Sequence, residues 1–88
     1  VFEILDRVTA SLQEFEERRD EAFKALRKGL GYCWSVAVAA YPEMGKKRME
    51  HWFANDDPDV RWVMKENLRK KRLERMDATW VALARQGL

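Results

Sequence analysis

The sequence predicts an all-α fold of about five helices, and three observations carry that expectation. Apolar residues recur at spacings of three and four along most of the chain, the period of one helix face. Helix-start signals stand at Pro42, at Asp57-Pro58 and at Asp77. The one stretch that resembles a strand, Tyr32–Tyr41, has no second strand to pair with, and its Ala37, Ala39 and Ala40 are poor strand formers.

At the amino-terminal end, Val1, Leu5, Val8, Leu12 and Phe15 make one apolar stripe, and Phe15, Ala22, Phe23, Leu26 and Leu30 continue it. This predicts helix from about 2 to 28, with a break near 10 or 19. Ser11 and Glu14 have capping-box spacing, so a helix start is expected there. Gly29 and Gly31 read as the stop. Tyr32–Tyr41 is then a short buried helix with Ser35 near its start. Pro42 ends it and opens the next helix at its first position, where a missing N–H costs nothing.

That third helix, about 42–54, places Met44, Met49, Trp52 and Phe53 on one side and Lys46, Lys47 and Glu50 on others. Asn55-Asp56-Asp57-Pro58 is the clearest break: an Asp caps, Pro58 takes the first turn, and Asp59 sits beside the positive helix end. Over about 58–70, Val60, Val63, Met64, Asn67 and Leu68 share one face. A turn is expected near Lys70–Leu73. Asp77 then caps a last helix through about Arg85, with Trp80, Val81 and Ala84 inward and Gly87 at its end.

The length of 88 residues suits a single domain, 1–88, and four Trp, four Phe and two Tyr supply large side chains to bury. Trp34, Trp52 and Trp80 are expected in the core. Trp52 and Phe53 are adjacent and cannot point to one spot, so one of them is expected to meet a partner. The first residue is Val, which reads as a piece of a longer protein.

Cys33 is the only cysteine, which rules out an internal disulfide and fits a reducing compartment such as the cytoplasm. No run of about 18 apolar residues is present, so no membrane span is expected. His51 is the only histidine, and Glu50-His51 with Asp56 and Asp57 does not make a zinc ligand set, so neither metal nor cofactor is expected. Asp56, Asp57 and Asp59 are accounted for by their place before a helix. No nucleophile elbow, phosphate loop or His-Glu-x-x-His motif occurs, and the expectation is a binding protein rather than an enzyme.

Asp56-Asp57-Pro58-Asp59-Val60-Arg61-Trp62-Val63, followed by Glu66-Asn67-Leu68, resembles the opening helix of HEAT-like repeats, with Asp57, Pro58, Val60 and Leu68 as its structural positions. Gly31–Ala40 looks like a second copy: Trp34 aligns with Val60, Ser35 with Arg61, Ala37 with Val63 and Val38 with Met64, a shift of 26 residues. That is close to short bacterial-type HEAT-like units and below the ~40–47 of HEAT and armadillo repeats. The second copy holds Ser35 in place of Arg61 and Pro42 in place of Leu68. The resemblance covers about residues 20–86. It implies an α-α superhelix with 1–30 as an amino-terminal helix or helices, 31–55 as a first helix pair and 56–88 as a second. It also implies a surface that binds protein or nucleic acid. HEAT-like relatives include DNA glycosylases that excise alkylated bases, but no residue here matches their catalytic aspartate.

Charge is unevenly placed. Residues 1–21 hold seven acids against three bases, and residues 60–76 hold seven bases against two acids. Arg61, Lys65, Arg69 and Arg72 follow at spacings of four, four and three, with Trp62 beside them. Basic side chains around an aromatic suit a phosphate backbone, which makes this face the candidate partner or nucleic-acid surface. Glu14, Glu17 and Glu21 are placed to compete for the same bases. The expected function is a protein-interaction scaffold, with a nucleic-acid-binding module of the DNA alkylation repair type as the alternative.

Overall fold

The computed structural model describes all residues, Val1–Leu88. Every regular element is a helix, with six α-helices: α1 (Phe2–Ser11), α2 (Glu21–Ala40), α3 (Pro42–Phe53), α4 (Pro58–Leu68), α5 (Lys71–Met76) and α6 (Ala78–Gly87). A single 3-10 turn, Leu12–Glu14, follows α1. None of these helices is long and apolar enough to cross a membrane.

The largest departure from the sequence reading is α2. Gly29 and Gly31 do not stop it; the helix runs unbroken for 20 residues, so the division expected at 30/31 falls inside it. Two glycines cost a helix roughly 1 kcal/mol each relative to alanine. That cost is outweighed by the buried face on either side of them: Phe23, Leu30, Trp34, Ala37 and Val38. Ser11 does not open a helix either. Its Oγ donates to the Val8 carbonyl at 2.6 Å, closing α1, and Asp20 caps α2 by accepting from the Ala22 N–H. Pro42, Asp57 and Asp77 stand where the sequence puts them, each at the start of a helix.

α2 packs most extensively against α4 and next against α3. On α4 the expected inner face is borne out: Val60, Val63, Met64, Asn67 and Leu68 are all buried. Asn67 enters this apolar layer because α2 offers it partners. Its Nδ2 donates to the carbonyls of Leu30 and Val63 at 2.9 and 2.7 Å, and its Oδ1 accepts the Ser35 N–H at 2.8 Å. Gly31 lies opposite Trp62, where a Cβ would come within 3.1 Å of the indole.

α1 closes one side of the core through Phe2 and Thr9, and Thr9 Oγ1 accepts from the Trp34 indole N–H at 2.9 Å. Phe2 rather than Val1 carries the start of the stripe; Val1 is exposed. Asp6 ties α1 to α3, accepting from Arg48 at 2.6 Å and from the Trp52 indole at 2.9 Å. α3 meets α6 through the Lys46–Asp77 ion pair, a Glu50 bond to the Trp80 indole and a Phe53–Trp80 ring contact.

The glycines separate two physical cases. At Gly29 an added methyl meets nothing, so Gly29→Ala is expected to raise stability by about 0.5–1 kcal/mol through helix propensity alone. At Gly45 the same methyl lies 2.7 Å from the Val38 Cα, so Gly45→Ala must push α3 off α2 and is expected to cost about 1–3 kcal/mol. Urea denaturation of the two variants beside the parent measures both signs.

Candidate functional site

The expected basic face does not survive as one exposed row. Lys65 and Arg69 are exposed, and Arg69 pairs with Glu66 at 3.2 Å. Arg61 is half-buried and donates to the main-chain oxygen of Leu88 at 3.0 Å. Arg72 has moved onto α5, where it donates to Ser35 Oγ at 3.0 Å and lies over the Tyr32 ring at 4.6 Å. Two of the four therefore serve contacts between helices. The break at Lys70 rotates α5 away from the α4 register that the spacing assumed.

Trp62 does meet a cation, but the one on its ring comes from α2. The Arg27 guanidinium stacks on its ring at 3.7 Å and is held there by Asp59 at 2.8 Å. Around this pair lies a groove of about 780 Å³ between α2 and α4, lined by Lys24, Arg27, Lys28, Gly31, Tyr32, Trp62, Glu66 and Lys70. A smaller hollow on the far side of Trp62 adds Arg61 and Lys65. Lys24, Arg27 and Lys28 carry helical spacing that is visible in the sequence, but ending the helix at Gly29 hides their place beside Trp62. Glu14 and Glu17 stay exposed and make no ion pair with these bases; Glu21 reaches Lys24 at 3.7 Å.

Asp57 does more than cap. It accepts from the N–H groups of Asp59 and Val60, and it also takes a two-pronged bond from Arg18 at 2.9 and 2.8 Å. Arg18 also binds Asp59 at 2.7 Å. The Arg18 hydrogen bonds hold the Asp57 carboxyl below the usual carboxylate range, against the opposing effect of burial, and raise the Arg18 pKa in turn. Pro58 opens α4, and Val60 and Leu68 are fully buried.

A second surface was missed. The helix expected to be buried, Tyr32–Tyr41, is buried on one side only: Trp34, Ser35, Ala37 and Val38 face in, while Tyr32, Cys33, Val36 and Ala40 face out. With Val1, Ile4, Leu5, Ala37 and Tyr41 they line a groove of about 470 Å³ between α1 and α2 in which every lining residue is hydrophobic. Val1, Ile4, Tyr32, Val36, Tyr41 and Met44 gather here and in the adjoining hollow, leaving Leu83 as the only other exposed large hydrophobic. Trp52 and Phe53, one of which was expected to meet a partner, are both used inside the molecule, against Asp6 and Trp80. Trp34 and Trp52 are buried and Trp80 is half-buried. His51 is exposed, edge-on to Trp52.

The Asp57 pair has a pH signature. A carboxyl whose folded pKa is depressed stabilises fully above its unfolded value of about 3.9 and loses that contribution as pH falls through the folded value. Asp57→Asn keeps a capping oxygen but loses the charge. Its melting temperature is expected to lie below the parent's at pH 7, with the gap closing below about pH 4. Thermal melts across pH 2–7 check it, and a constant gap contradicts it. Comparison with protein-family models, with curated proteins and with solved structures yields no match for this chain.

Proposed function

We propose that this chain is a non-catalytic helical-repeat module that docks an amphipathic helix of a partner protein in the groove between α1 and α2. The observation that carries the reading is the clustering of nearly all exposed large hydrophobics around one groove, whose only polar side-chain atoms are the Tyr32 and Tyr41 hydroxyls and the Cys33 thiol. A small-molecule site needs a few placed polar groups to orient its ligand. A groove this short of them suits the apolar stripe of a helix, whose backbone polar groups are already satisfied. Contiguous exposed apolar surface on a chain of this size marks an interaction site.

The repeat reading draws support from the buried layer. The positions matched at 26 residues, Trp34 with Val60, Ala37 with Val63 and Val38 with Met64, are buried in both copies, and α2 and α4 pack on each other. The match ends at Pro42, which is exposed at a helix start, against buried Leu68 within α4.

The test uses the double variant Ile4→Glu, Val36→Glu. Both residues are exposed, so the melting curve is expected to stay within a few degrees of the parent. A model helix with leucines at every third and fourth position serves as probe. Its addition to isotope-labelled protein is expected to shift the amide signals of Ile4, Cys33, Val36 and Tyr41, and the variant is expected to bind at least tenfold more weakly. Undisturbed signals on this face overturn the proposal. So does concentration-dependent dimerisation that the variant abolishes, since the groove's occupant is then a second copy.

A further inference from the structure

One exposed row on α2 changes character along its length. Lys24, Lys28, Tyr32, Val36 and Ala40 follow at intervals of four, and all five are exposed. Residues four apart are neighbours with a drift of about 40° per step, so the row winds around α2 as it runs about 24 Å. Its character changes once, at Tyr32. Lys24 and Lys28 line the cationic groove against α4, Val36 and Ala40 line the apolar groove against α1, and Tyr32 lines both. Tyr32 is thus the side chain that the two grooves share.

We infer that the partner segment is acidic next to its apolar anchors, and that its carboxylates lie in the groove of Lys24, Lys28 and Lys70 while its apolar side chains occupy the groove of Ile4, Val36 and Tyr41. This rests on the proposed docking of a helix between α1 and α2. The charge available to such a partner is set by what the fold leaves unspent. Arg27 is held by Asp59 and by the Trp62 ring. Arg72 is held by Ser35 and Tyr32. Glu66 is the only carboxylate in the groove, shared between Arg69 at 3.2 Å and Lys70 at 3.8 Å. Lys24 meets only the exposed Glu21, at 3.7 Å, and Lys28 makes no ion pair.

An acidic protein segment accounts for both grooves at once. A nucleic-acid strand accounts for the lysines alone: it has no use for a mainly apolar continuation, and one face of Trp62 is already taken by Arg27 rather than left for a base. Charge at the rim of an apolar anchor site speeds encounter and fixes the direction of the bound segment, and it rejects partners of the wrong sign.

The experiment uses three peptides with one leucine stripe and a Glu-rich, Gln-rich or Lys-rich flank, titrated into the parent, into Lys24→Glu, Lys28→Glu and into Ile4→Glu, Val36→Glu. The Glu-flanked peptide is expected to bind the parent about tenfold more tightly than the Gln-flanked one at low salt. That advantage is expected to vanish in the lysine variant, and to shrink between 50 and 500 mM salt. The Gln-flanked peptide is expected to bind the lysine variant as it binds the parent, and to lose binding in the Ile4, Val36 variant.

Equal binding of all three flanks, lost only in the Ile4, Val36 variant, overturns the acidic partner and leaves helix docking standing. Absence of binding by every peptide overturns both. An oligothymidylate that binds more tightly than the Glu-flanked peptide, and depends on Lys24 and Lys28, overturns the acidic segment in favour of nucleic acid.

Discussion

The α2–α4 junction is the constraint on which the other helices depend. Asn67 is fully buried in an apolar layer, and its amide is satisfied only if Leu30 and Ser35 of α2 stand at one height against α4. Slippage of either helix by a turn strands a buried amide, at a cost of about 1–3 kcal/mol, and exposes apolar surface besides. Gly31 sets the depth of the same contact, because any larger residue meets Trp62 and Glu66 within 3.3 Å. A polar clasp thus fixes register and a missing side chain fixes separation. Once both are set, the residues that α2 leaves outward include the Lys24-to-Ala40 row.

The ion network around Asp57 and Asp59 extends this control to the surface. Arg18 arrives from the segment before α2, Arg27 from α2 itself, and the two carboxylates from the start of α4. Three pieces of chain are tied at the point where α4 begins. The same network decides which cations stay free. Both arginines nearest Trp62 and Asp57 are consumed by it, while the flanking lysines are not. Arg suits this use because its planar fork matches a carboxylate and stacks on an indole, whereas Lys remains a hydrated point charge suited to a reversible contact.

Helix starts and the α4 core face were legible in the sequence because their causes are local. Asp57-Pro58, Pro42 and Asp77 act within one turn, and the spacing of Val60, Val63, Met64, Asn67 and Leu68 needs only a helix to become a face. The candidate surface was legible in part: Trp62 does sit among cations, but half of them, Lys24, Arg27 and Lys28, come from α2. Gly29 and Gly31 read as a stop because propensity is the only local information they offer; the packing that overrides it comes from residues more than 30 positions away. Ser11 with Glu14 has the form of a cap, but its hydroxyl bonds backwards into α1. Arg61 and Arg72 looked free because their partners, Leu88, Ser35 and Tyr32, are distant in sequence. The apolar groove was hidden for a related reason. A run as hydrophobic as Tyr32–Tyr41 reads as wholly buried, and only the placement of α1 shows that one side is left open.

That open side has a consequence for α1. The helix buries only Phe2 and Thr9, and it is anchored mainly by polar contacts, Thr9 to Trp34 and Asp6 to Arg48 and Trp52. Leu5 and Val8 are half-buried, and Val1 and Ile4 are exposed. α1 therefore places fewer fully buried side chains in the core than α2 or α4 does. Phe2 joins the single core cluster in which Leu30, Val60, Val63, Met64 and Leu68 are buried at the α2–α4 junction. A ligand seated in the groove touches α1 and α2 together, so it binds the state in which α1 is docked and adds the apolar contacts that α1 lacks. Its binding energy then appears as stability of α1 by mass action. The exposure along α1 and the openness of the groove are one property of the sequence, since Val1 and Ile4 stay out of the core and form part of the groove's wall.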